Sequence, residues 1–453
     1  MSLNLPFFIS KKINESSPDS NRLSRPVIGI ATGGIILGMT AMILTIFIVK
    51  GFQKEVRERA VAFNGHIQVV KNGTNNSSET NPIDMNSKSI EALKSIDHIS
   101  FIQHFVTKNG IIKTKTENEG IILKGVGKKY NWGFIGSHIK EGQILKPDED
   151  SSNFNVMISK VTSERLGLKC GDPVFIYFIL TDSLIKISNG SKDSIVDINS
   201  QFMTDFRRIQ ETLRPDTSLI IRYRSKVKKF SVKGIYETGM EEFDKKIVFT
   251  TEEELKKICG WNKNETGAFE IYIQEFNKLD ETSDIVSEYL KGDFSLSSYS
   301  IKETNPGIFE WLDMHDTTAW LIIVLMIVVA VINMVSALII LIIEKIKMIG
   351  LLKAMGMQTG KIIRIFLYQA SRIILKGILW GNFLGLSLAF FQDKTHFFTL
   401  DQSTYYMPFI PINFEWTYLI FLNTGTFLTC MIFMLFPCLI IAKTSPIRAI
   451  RFD

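Results

Sequence analysis

The sequence predicts an α+β integral membrane protein, in which four transmembrane helices carry a large two-lobed α+β domain between helices 1 and 2. Three observations support this fold class. Hydrophobic residues make up 45% of the 453 positions, and phenylalanine alone occurs 33 times. Charged residues nevertheless make up 22%, which is too many for a bundle of membrane helices throughout. The apolar residues lie mainly in four long runs, and a mostly polar segment, residues 50–318, separates the first run from the second.

The first run, VIGIATGGIILGMTAMILTIFIV, occupies Val27–Val49. At 1.5 Å per residue, about 20 apolar residues cross the ~30 Å hydrocarbon core of a bilayer. The run is longer than the apolar region of a cleaved signal peptide, and the charged segment KGFQKEVRERA follows it in place of a small-residue cleavage site. We therefore expect the run to remain as a membrane helix. Gly29, Gly33, Gly34 and Gly38 include two pairs at four-residue spacing, which allows another helix to approach closely.

The second run, Ala319–Ile343, is almost purely apolar. The third, Ile362–Phe391, carries basic and polar residues in its first half, so we expect that half to lie in the headgroup region or against protein. The fourth, Trp416–Ala442, contains Pro437, which is expected to kink its last turns. The segments GFQKEVRERA and FEWLDMHDTT are expected to extend helices 1 and 2 beyond the membrane as a stalk.

Basic residues are concentrated beside the apolar runs on one side. They lie in the N-terminal arm (1–26), in the connection between runs two and three (344–361) and in the tail (443–453): Lys11, Lys12, Arg22, Arg25, Lys345, Lys347, Lys353, Lys361, Lys443, Arg448 and Arg451. Because lysine and arginine mark the cytoplasmic ends of membrane helices, both termini are predicted to be cytoplasmic. Residues 50–318 and the loop 392–415 are then external. The net charge of +6 thus indicates membrane orientation rather than nucleic-acid binding.

The polar domain contains both strand and helix signals. HIQVVKN and FEIYIQEF alternate as strands do, whereas SKSIEALKSI and TSDIVSEYLKG are amphipathic helices. In TTEEELKKICG, Thr251 and Glu254 predict a capping box and Gly260 predicts the helix end. Strand–helix–strand order recurs near both ends of the domain, while residues of about 150–240 are richer in strands. This pattern predicts one lobe built from the two ends and a second, inserted lobe.

Residues 181–226 form a polar stretch that interrupts two strands and is too long for an ordinary turn. Apolar residues recur in it at roughly helical spacing: Phe202, Met203, Phe206, Ile209 and Leu213. Excursions of this length are either functional or disordered, and the residues leave both interpretations open.

The sequence contains no recognisable catalytic or metal-binding motif. Its four cysteines include no C-x-x-C, its six histidines include no H-E-x-x-H, and there is no G-x-S-x-G. Cys430 and Cys438 lie in the fourth apolar run and are expected to be packing residues, whereas pairing of Cys170 with Cys259 remains open. These residues therefore indicate neither an enzyme nor a metal site, and no cofactor bound by this chain is expected.

The string KAMGMQTGKI, residues 353–362, resembles an incomplete phosphate-binding loop of the form G-x-x-x-x-G-K-[ST]. Gly360 and Lys361 match that pattern. Met355 occupies the position of the first glycine, and Ile362 occupies the position of the hydroxyl residue. A nucleotide site here is therefore not expected.

Several segments, in a fixed order along the chain, carry a resemblance to one family. They are GFQKEVRERAVAFNGHIQV, VKGIYETGMEEFDKKIVF, INMVSALIILIIEKIKMIGLLKAMGMQTGKIIRIFLYQ, LDQSTYYMPFIPI and the terminal SPIRAIRFD. Over nearly its whole length the chain resembles the FtsX/MacB-type permeases of ABC transporters. The element TGMEEFD, and Asn333, Val335 and Ser336 followed by Glu344 and Lys345, are typical of the lipoprotein-releasing (LolC/LolE-like) branch.

The resemblance implies that the phosphate-loop-like string belongs to a cytoplasmic coupling helix, on which a separate ATPase subunit rests. That subunit, present in two copies, would bind ATP-Mg. The implied coupling residues are Glu344, Lys345, Met348, Ile349, Gly350, Leu351, Lys353, Ala354, Met355 and Gly356. Gly356 and Gly360 are predicted stop or turn positions between this helix and the third membrane helix.

The resemblance also implies a function in the inner membrane. Paired with a second copy or a sister permease, the chain would take lipoproteins from the outer leaflet and pass them to a periplasmic chaperone. The candidates that would line a cavity for the acyl chains are Ile43, Phe47, Phe52, Met326, Ile332 and Val335. Ordinary helix packing is the alternative for each of these residues.

In the LolC-like permeases that the chain resembles, a short proline-containing hook that recruits the chaperone occupies the position of the longer stretch 181–226. The candidates for that contact are Phe202, Phe206, Arg207, Arg214 and Pro215. Because the stretch is longer than the hook, its role in recruitment stays open.

Three other functions fit the same helical plan. An FtsX-like permease would signal to cell-wall hydrolases, and a MacB-like permease would export a peptide or toxin. The sequence contains no Walker motif, so an exporter with a fused ATPase is not expected, whereas an exporter with a separate ATPase stays open. A third alternative, a binding domain merely anchored by helices, does not explain the coupling segment.

Overall fold

The computed structural model describes residues 24–72, 79–114, 117–147, 154–182, 184–189, 192–197 and 222–443. The helices of this part of the chain are α1 (Ser24–Asn64), α2 (Lys88–Leu93), α3 (Gly133–Ser137), α4 (Lys160–Leu166), α5 (Glu241–Asp244), α6 (Glu252–Cys259), α7 (Leu279–Leu290), α8 (Ile301–Thr304), α9 (Pro306–Glu344), α10 (Ile346–Ala354), α11 (Thr359–Thr395), α12 (Gln402–Tyr405) and α13 (Trp416–Lys443). A 3₁₀ turn at Phe276–Lys278 precedes α7.

The strands of the described residues are β1 (Ile67–Lys71), β2 (Ile83–Asp84), β3 (Ile99–Lys113), β4 (Asn118–Val126), β5 (Ile139–Gly142), β6 (Asn155–Ser159), β7 (Pro173–Asp182), β8 (Leu184–Asn189), β9 (Lys192–Asp197), β10 (Arg222–Tyr236), β11 (Ile247–Thr251), β12 (Glu265–Thr266), β13 (Ala268–Ile273) and β14 (Leu296–Ser300). All of them lie between α1 and α9. The polar segment therefore folds as the predicted α+β domain.

Four helices, α1, α9, α11 and α13, are long and apolar enough to cross a membrane, as predicted. α1 continues through the charged segment after the apolar run to Asn64, and α9 begins at Pro306, well before its own apolar run. Proline suits the first turn of a helix, because its missing N–H has no partner there in any case. Both helices thus have the extensions expected of a stalk. α13 continues through Pro437.

The chain divides into two compact units. The helical unit contains α1 as far as Val56 and the chain from Gly307 onward, apart from one short segment. The α+β unit contains Arg57–Pro306 together with that segment, Gln402–Met407.

Within the α+β unit, six strands close into a ring in the order β3-β4-β11-β6-β10-β7, with β7 pairing back to β3. The β4/β11 and β6/β10 pairs are parallel, and the other pairs in the ring are antiparallel. Each strand contributes buried apolar residues to one core: Val106, Leu123, Val248, Ile158, Phe230 and Phe178 are examples. The strand-rich lobe around 150–240 is therefore completed by β3, β4 and β11, which lie outside that range. From β3 the sheet continues through β13 and β1 to β14.

Helix ends in this unit confirm one prediction and correct another. Gly260 ends α6 in the left-handed conformation, with φ of +75°, as predicted. Thr251 is the N-cap of that helix, but its side chain accepts no capping hydrogen bond, so the predicted capping box is wrong. Glu254 instead accepts a hydrogen bond from the Thr250 hydroxyl at 2.7 Å. A complete capping box occurs at α8, between Ser300 and Glu303.

Candidate functional site

The segment that joins α9 to α11 folds as the short helix α10, whose inner face packs on the helical unit. Ile349 is fully buried in an apolar cluster that also contains Ile342 of α9 and Ile362 of α11. Where α9 meets α10, Lys345 Nζ donates a hydrogen bond to Glu344 Oε1 at 3.1 Å. Packing therefore anchors this segment on one side.

α10 ends in a Schellman motif, which satisfies its last carbonyl groups. The Gly356 N–H donates to the Lys353 carbonyl and the Met357 N–H donates to the Leu352 carbonyl, both at 3.0 Å. This pattern needs a left-handed residue, and Gly356 has φ of +82°. Gly356 thus ends the helix as predicted. Gly360 does not serve as a turn, because it already lies in the first turn of α11. The phosphate-loop-like string is a helix end followed by a helix start.

The opposite face of α10 is exposed and largely apolar. Lys347, Leu351, Ala354 and Met355 are spaced at i, i+4, i+7 and i+8, which places them on one side of a helix. Leu351 is 57% exposed and Met355 is 76% exposed. We call these four residues the α10 outer face. The other predicted coupling residues lie elsewhere: Met348 and Lys353 are half-buried, Gly350 is buried and Gly356 is exposed beyond the helix end.

Three glycines of α11 at four-residue spacing receive three side chains of α1 at the same spacing. Gly377, Gly381 and Gly385 lie against Ile35, Met39 and Ile43, respectively. A Cβ atom at Gly381 would lie only 2.6 Å from Met39 Cβ, so a larger residue does not fit. Such small-residue ladders let membrane helices approach closely. We call this contact the glycine ladder. The ladder was not predicted, although its G-x-x-x-G-x-x-x-G spacing is visible in the segment GILWGNFLG.

Four glycines of α1 were predicted to let another helix approach, and two of them, Gly34 and Gly38, lie against α9. A Cβ atom at Gly34 would lie 2.5 Å from Asn333 Nδ2 of α9, and one at Gly38 would lie 3.9 Å from the Met326 carbonyl oxygen. The other two predicted glycines have open space at that position. Gly34 therefore gives the mid-helix carboxamide of Asn333 the room it needs.

Three of the six acyl-chain candidates are buried within their own chain. Ile43 lies on the glycine ladder. The ring of Phe47 meets that of Phe414 edge-on with 5.4 Å between centroids. The ring of Phe52 lies 5.1 Å from that of Trp311. These three residues stabilise the helical unit itself.

Two other candidates line an apolar groove between α9 and α13. The groove has a volume of about 510 Å³. Its lining consists of Ile327, Val328, Val331, Ile332, Val335 and Ser336 of α9 with Thr429, Phe433 and Phe436 of α13. Ile332 is 57% exposed. Met326, the remaining candidate, is half-buried beside the cluster that contains Ile43 and Phe47. We call this feature the α9–α13 groove.

In the α+β unit, a buried ion pair holds the C-terminal end of α1. Lys124 of β4 donates a hydrogen bond to the carbonyl of Phe63, and its Nζ lies 2.5 Å from Glu270 Oε1 of β13. Gln103 Nε2 of β3 donates to the other Glu270 oxygen at 2.6 Å. The last turn of α1 contains no basic residue. Lys124 therefore supplies the positive charge that the carboxyl end of a long helix favours.

The predicted TGMEEFD element forms a tight turn around a buried carboxylate. Asp244 accepts hydrogen bonds from the Thr238 N–H at 3.0 Å, the Gly239 N–H at 3.1 Å and the Thr238 hydroxyl at 2.6 Å. Burial raises the pKa of Asp244 to about 6, although these hydrogen bonds act to lower it. Arg59 of α1 donates to the Thr238 carbonyl. This turn, like the ion pair, contacts the extension of α1.

The remaining predictions concern the chaperone contact, two cysteines and metal binding. The chaperone candidates Phe202, Phe206, Arg207, Arg214 and Pro215 all lie outside the described residues. Cys170 and Cys259 are both free, and burial raises the pKa of the Cys259 thiol to about 11. Within the described ranges, no group of three or more His, Cys, Asp or Glu residues is placed to hold a metal ion.

Two family models match this chain. Residues 29–249 match the MacB-like periplasmic core domain, and residues 320–446 match the FtsX-like permease C-terminal region. The first match begins in α1 and covers the ring strands as far as β11. The second begins in α9 and covers α10, α11 and α13. Together they account for most of the chain.

Similar proteins match almost the full length. The chain is 20% identical to the lipoprotein-releasing system transmembrane protein LolC of Xylella fastidiosa, over 93% of this chain and 92% of that protein. It is 21% identical to the transmembrane protein LolE of Haemophilus influenzae, over 99% of both chains.

Two solved structures are similar at lower coverage. The extracellular domain of the ABC-type transporter YknZ from Gram-positive bacteria matches 52% of this chain and 99% of that chain, at 14% identity and a TM-score of 0.30. The periplasmic region of MacB from Actinobacillus actinomycetemcomitans matches 55% of this chain and 95% of that chain, at 12% identity and a TM-score of 0.32.

Proposed function

We propose a function from one premise: this chain belongs to the FtsX/MacB-type permeases, which join a MacB-like periplasmic core domain to an FtsX-like membrane region. It is the non-catalytic permease subunit of an ABC transporter that takes lipoproteins from the outer leaflet of the inner membrane and passes them to a periplasmic chaperone. A separate ATPase, in two copies, binds and hydrolyses ATP-Mg. A second copy of the chain or a sister permease completes the membrane part. The relatives named for lipoprotein release, which match over nine tenths of both chains, support this choice.

The proposal places both termini and α10 in the cytoplasm and the α+β unit in the periplasm. The basic residues beside α10 support this orientation, since lysine and arginine favour the cytoplasmic side.

The observation that carries the proposal is the α10 outer face. Leu351 and Met355 expose apolar side chains next to each other on this face, which is typical of a surface that a protein partner covers. The buried face of the same helix, centred on Ile349, packs on α9 and α11. A force applied to the outer face would therefore pass into the membrane helices. Methionine adapts its shape to a moving partner, which suits such a contact.

Single charge substitutions on this face test the coupling. We expect Leu351→Asp and Met355→Asp to lower lipoprotein release per ATP hydrolysed by about tenfold or more, because a buried contact with the ATPase would gain an unpaired charge. Met314→Asp is the matched control, since Met314 of α9 is 58% exposed and lies far from α10 along the chain. Release and hydrolysis would be measured together on the purified complex in lipid nanodiscs. Wild-type release by both α10 variants would refute the coupling assignment.

The α9–α13 groove is the part of the described helices that we assign to the acyl chains. Each buried CH₂ group stabilises a bound chain by about 0.8 kcal/mol, so an apolar groove lowers the cost of leaving the bilayer. We expect Val335→Trp, which fills the groove, to reduce the lipoprotein that co-purifies with the complex. Ile340→Trp is the control, because Ile340 is exposed on α9 and does not line the groove. Equal lipoprotein yields from the two variants would place the acyl chains elsewhere.

Purification in mild detergent, followed by mass spectrometry of the co-purifying molecules, tests the function as a whole. We expect an ABC ATPase and triacylated lipoproteins, which leave when ATP is added. An ATPase with cell-wall hydrolases, or with no lipoprotein, would favour the FtsX-like or MacB-like function instead. A preparation without any ATPase would refute the ABC-transporter assignment.

A further inference from the structure

The connection between α11 and α13 has a base in one compact unit and a tip in the other. Residues up to Asp401 and from Pro408 belong to the helical unit, whereas Gln402–Met407 belongs to the α+β unit. We call Gln402–Met407 the loop tip. A loop that served only to join two membrane helices would have no need to place its tip in the other unit.

The base of this loop is held firmly to the end of α11. The Leu400 N–H donates to the Pro408 carbonyl at 2.9 Å, and the Ile410 N–H donates to the Phe398 carbonyl at 3.2 Å. Gln392 of α11, which is almost fully buried, donates to both the Phe398 and Ile410 carbonyls and accepts from the Phe398 N–H. The two chain segments of the loop base, around Phe398 and around Ile410, are thereby both bonded to the Gln392 side chain. A displacement of α11 would move the loop as one body.

The tip packs on the turn around Asp244. Gly239 has φ of +85°, and a Cβ atom there would lie 2.6 Å from Gln402 Nε2 and 2.6 Å from the Tyr406 carbonyl oxygen. Met407 is only 1% exposed. The tip itself has a fixed shape, because the Tyr406 N–H donates to the Gln402 carbonyl at 3.0 Å and Tyr406 has φ of +64°. A non-glycine residue keeps such a φ only where its surroundings hold it.

We propose that Gly239 and Gln402 form a clasp through which the α+β unit follows the movement of α11 and α13, in addition to its direct links to α1 and α9. Gly239 is a positioning residue, since its missing side chain lets the tip approach, and Asp244 fixes the backbone that presents it. The proposal rests on the proposed function only in that ATP provides the movement.

Two glycines of the same unit provide a matched comparison. Gly239 and Gly260 both have positive φ, +85° and +75°, so alanine brings similar backbone strain at each. Nothing lies within 4 Å of a Cβ atom at Gly260, whereas at Gly239 the tip occupies that space. Gly239→Ala therefore displaces the tip, and Gly260→Ala does not. Gln402→Ala is a second test, which removes the contact without changing the turn.

The experiment is hydrogen–deuterium exchange of the full-length protein with its co-purified ATPase, with and without ATP and vanadate. In Gly239→Ala and Gln402→Ala, we expect the peptide over 398–410 to exchange about tenfold faster, as a lost contact allows local opening. We also expect the ATP-dependent change in exchange over the α+β unit to be lost. Gly260→Ala should match the wild type in both measurements.

Two results would overturn the clasp: a tip that exchanges at the wild-type rate in both variants, or an ATP response that persists although the tip is free. Failure of the proposed function gives a different pattern. If the wild type shows the ATP response and the clasp variants lose it, but no lipoprotein is released, the clasp stands and lipoprotein release does not.

Discussion

Replacement of Lys124 offers a quantitative test of how the α+β unit holds the end of α1. Lys124 is 3% exposed and Glu270 is fully buried, and their charged atoms lie 2.5 Å apart. Lys124→Met keeps the length of the side chain but removes its positive charge. The buried Glu270 carboxylate then keeps the hydrogen bond from the Gln103 amide and loses its ion pair. The Phe63 carbonyl loses the Lys124 donor at the same time.

Removal of one partner from a buried ion pair costs about 3–5 kcal/mol, because the other charge stays buried without compensation. For a unit of this size each kcal/mol corresponds to roughly 2–4 °C in melting temperature, so the α+β unit should melt about 6–20 °C lower. Lys124→Met/Glu270→Gln should recover roughly half of the loss, since the buried charge is gone while the Phe63 carbonyl still lacks its donor.

The assay is thermal unfolding of the full-length protein in detergent, followed by proteolysis of the α+β unit at each temperature. Lys302→Met is the matched control. Its ion pair with Asp280 is as close, at 2.7 Å, but both side chains are exposed, so it should cost less than about 1 kcal/mol. A melting temperature for Lys124→Met within a few degrees of this control would show that the buried pair does not hold the helix end.

Three further predictions follow from single contacts. Gly381→Val should destabilise the helical unit by about 1–3 kcal/mol in thermal unfolding, because its side chain would overlap Met39, whereas Gly425→Val, with open space around it, should be neutral. Burial raises the pKa of Asp244 from 3.8 to about 6, so the folded state gains stability as the pH falls through that window. Compared with Asp244→Asn, the wild type should therefore gain up to about 3 kcal/mol between pH 7 and pH 4, and a pH-independent difference in melting temperature would contradict this. Ser300→Ala should cost about 1 kcal/mol by removing a capping box, measured by urea unfolding, and no loss would mean that the cap is dispensable.

The sequence predicted those features that depend on residues close to one another along the chain. The four membrane helices follow from runs of apolar residues, and their extensions follow from helix-forming segments without a breaker. Gly260 and Gly356 were identified as helix ends because the left-handed conformation favours glycine. The capping box at Thr251 failed, because the composition of a cap does not fix where its hydroxyl points. The prediction of a turn at Gly360 was also wrong, because glycine is tolerated in the first turn of a helix as well as in a turn.

The sequence did not predict which apolar residues of the membrane helices are buried and which line a groove. The resemblance directed the choice of Ile43 and Phe47 on the first helix and of Ile332 and Val335 on the second, but it could not rank them, because lipid, a cavity and another helix all favour the same side chains. Only the packing of α1 on α11 and of α9 beside α13 separates the first pair, which is buried, from the second, which lines the groove.

By itself, the sequence determined the number of the membrane helices and the α+β character of the domain between them. Each of these features is set by hydrogen bonds and hydrophobic periodicity within a few turns of chain. The tertiary structure alone decided which distant residues meet: Lys124 with Glu270, Gly381 with Met39, and Gly239 with Gln402. Such pairs depend on how separate elements pack, and a single sequence contains no local signal for the partner of a buried charge or a glycine.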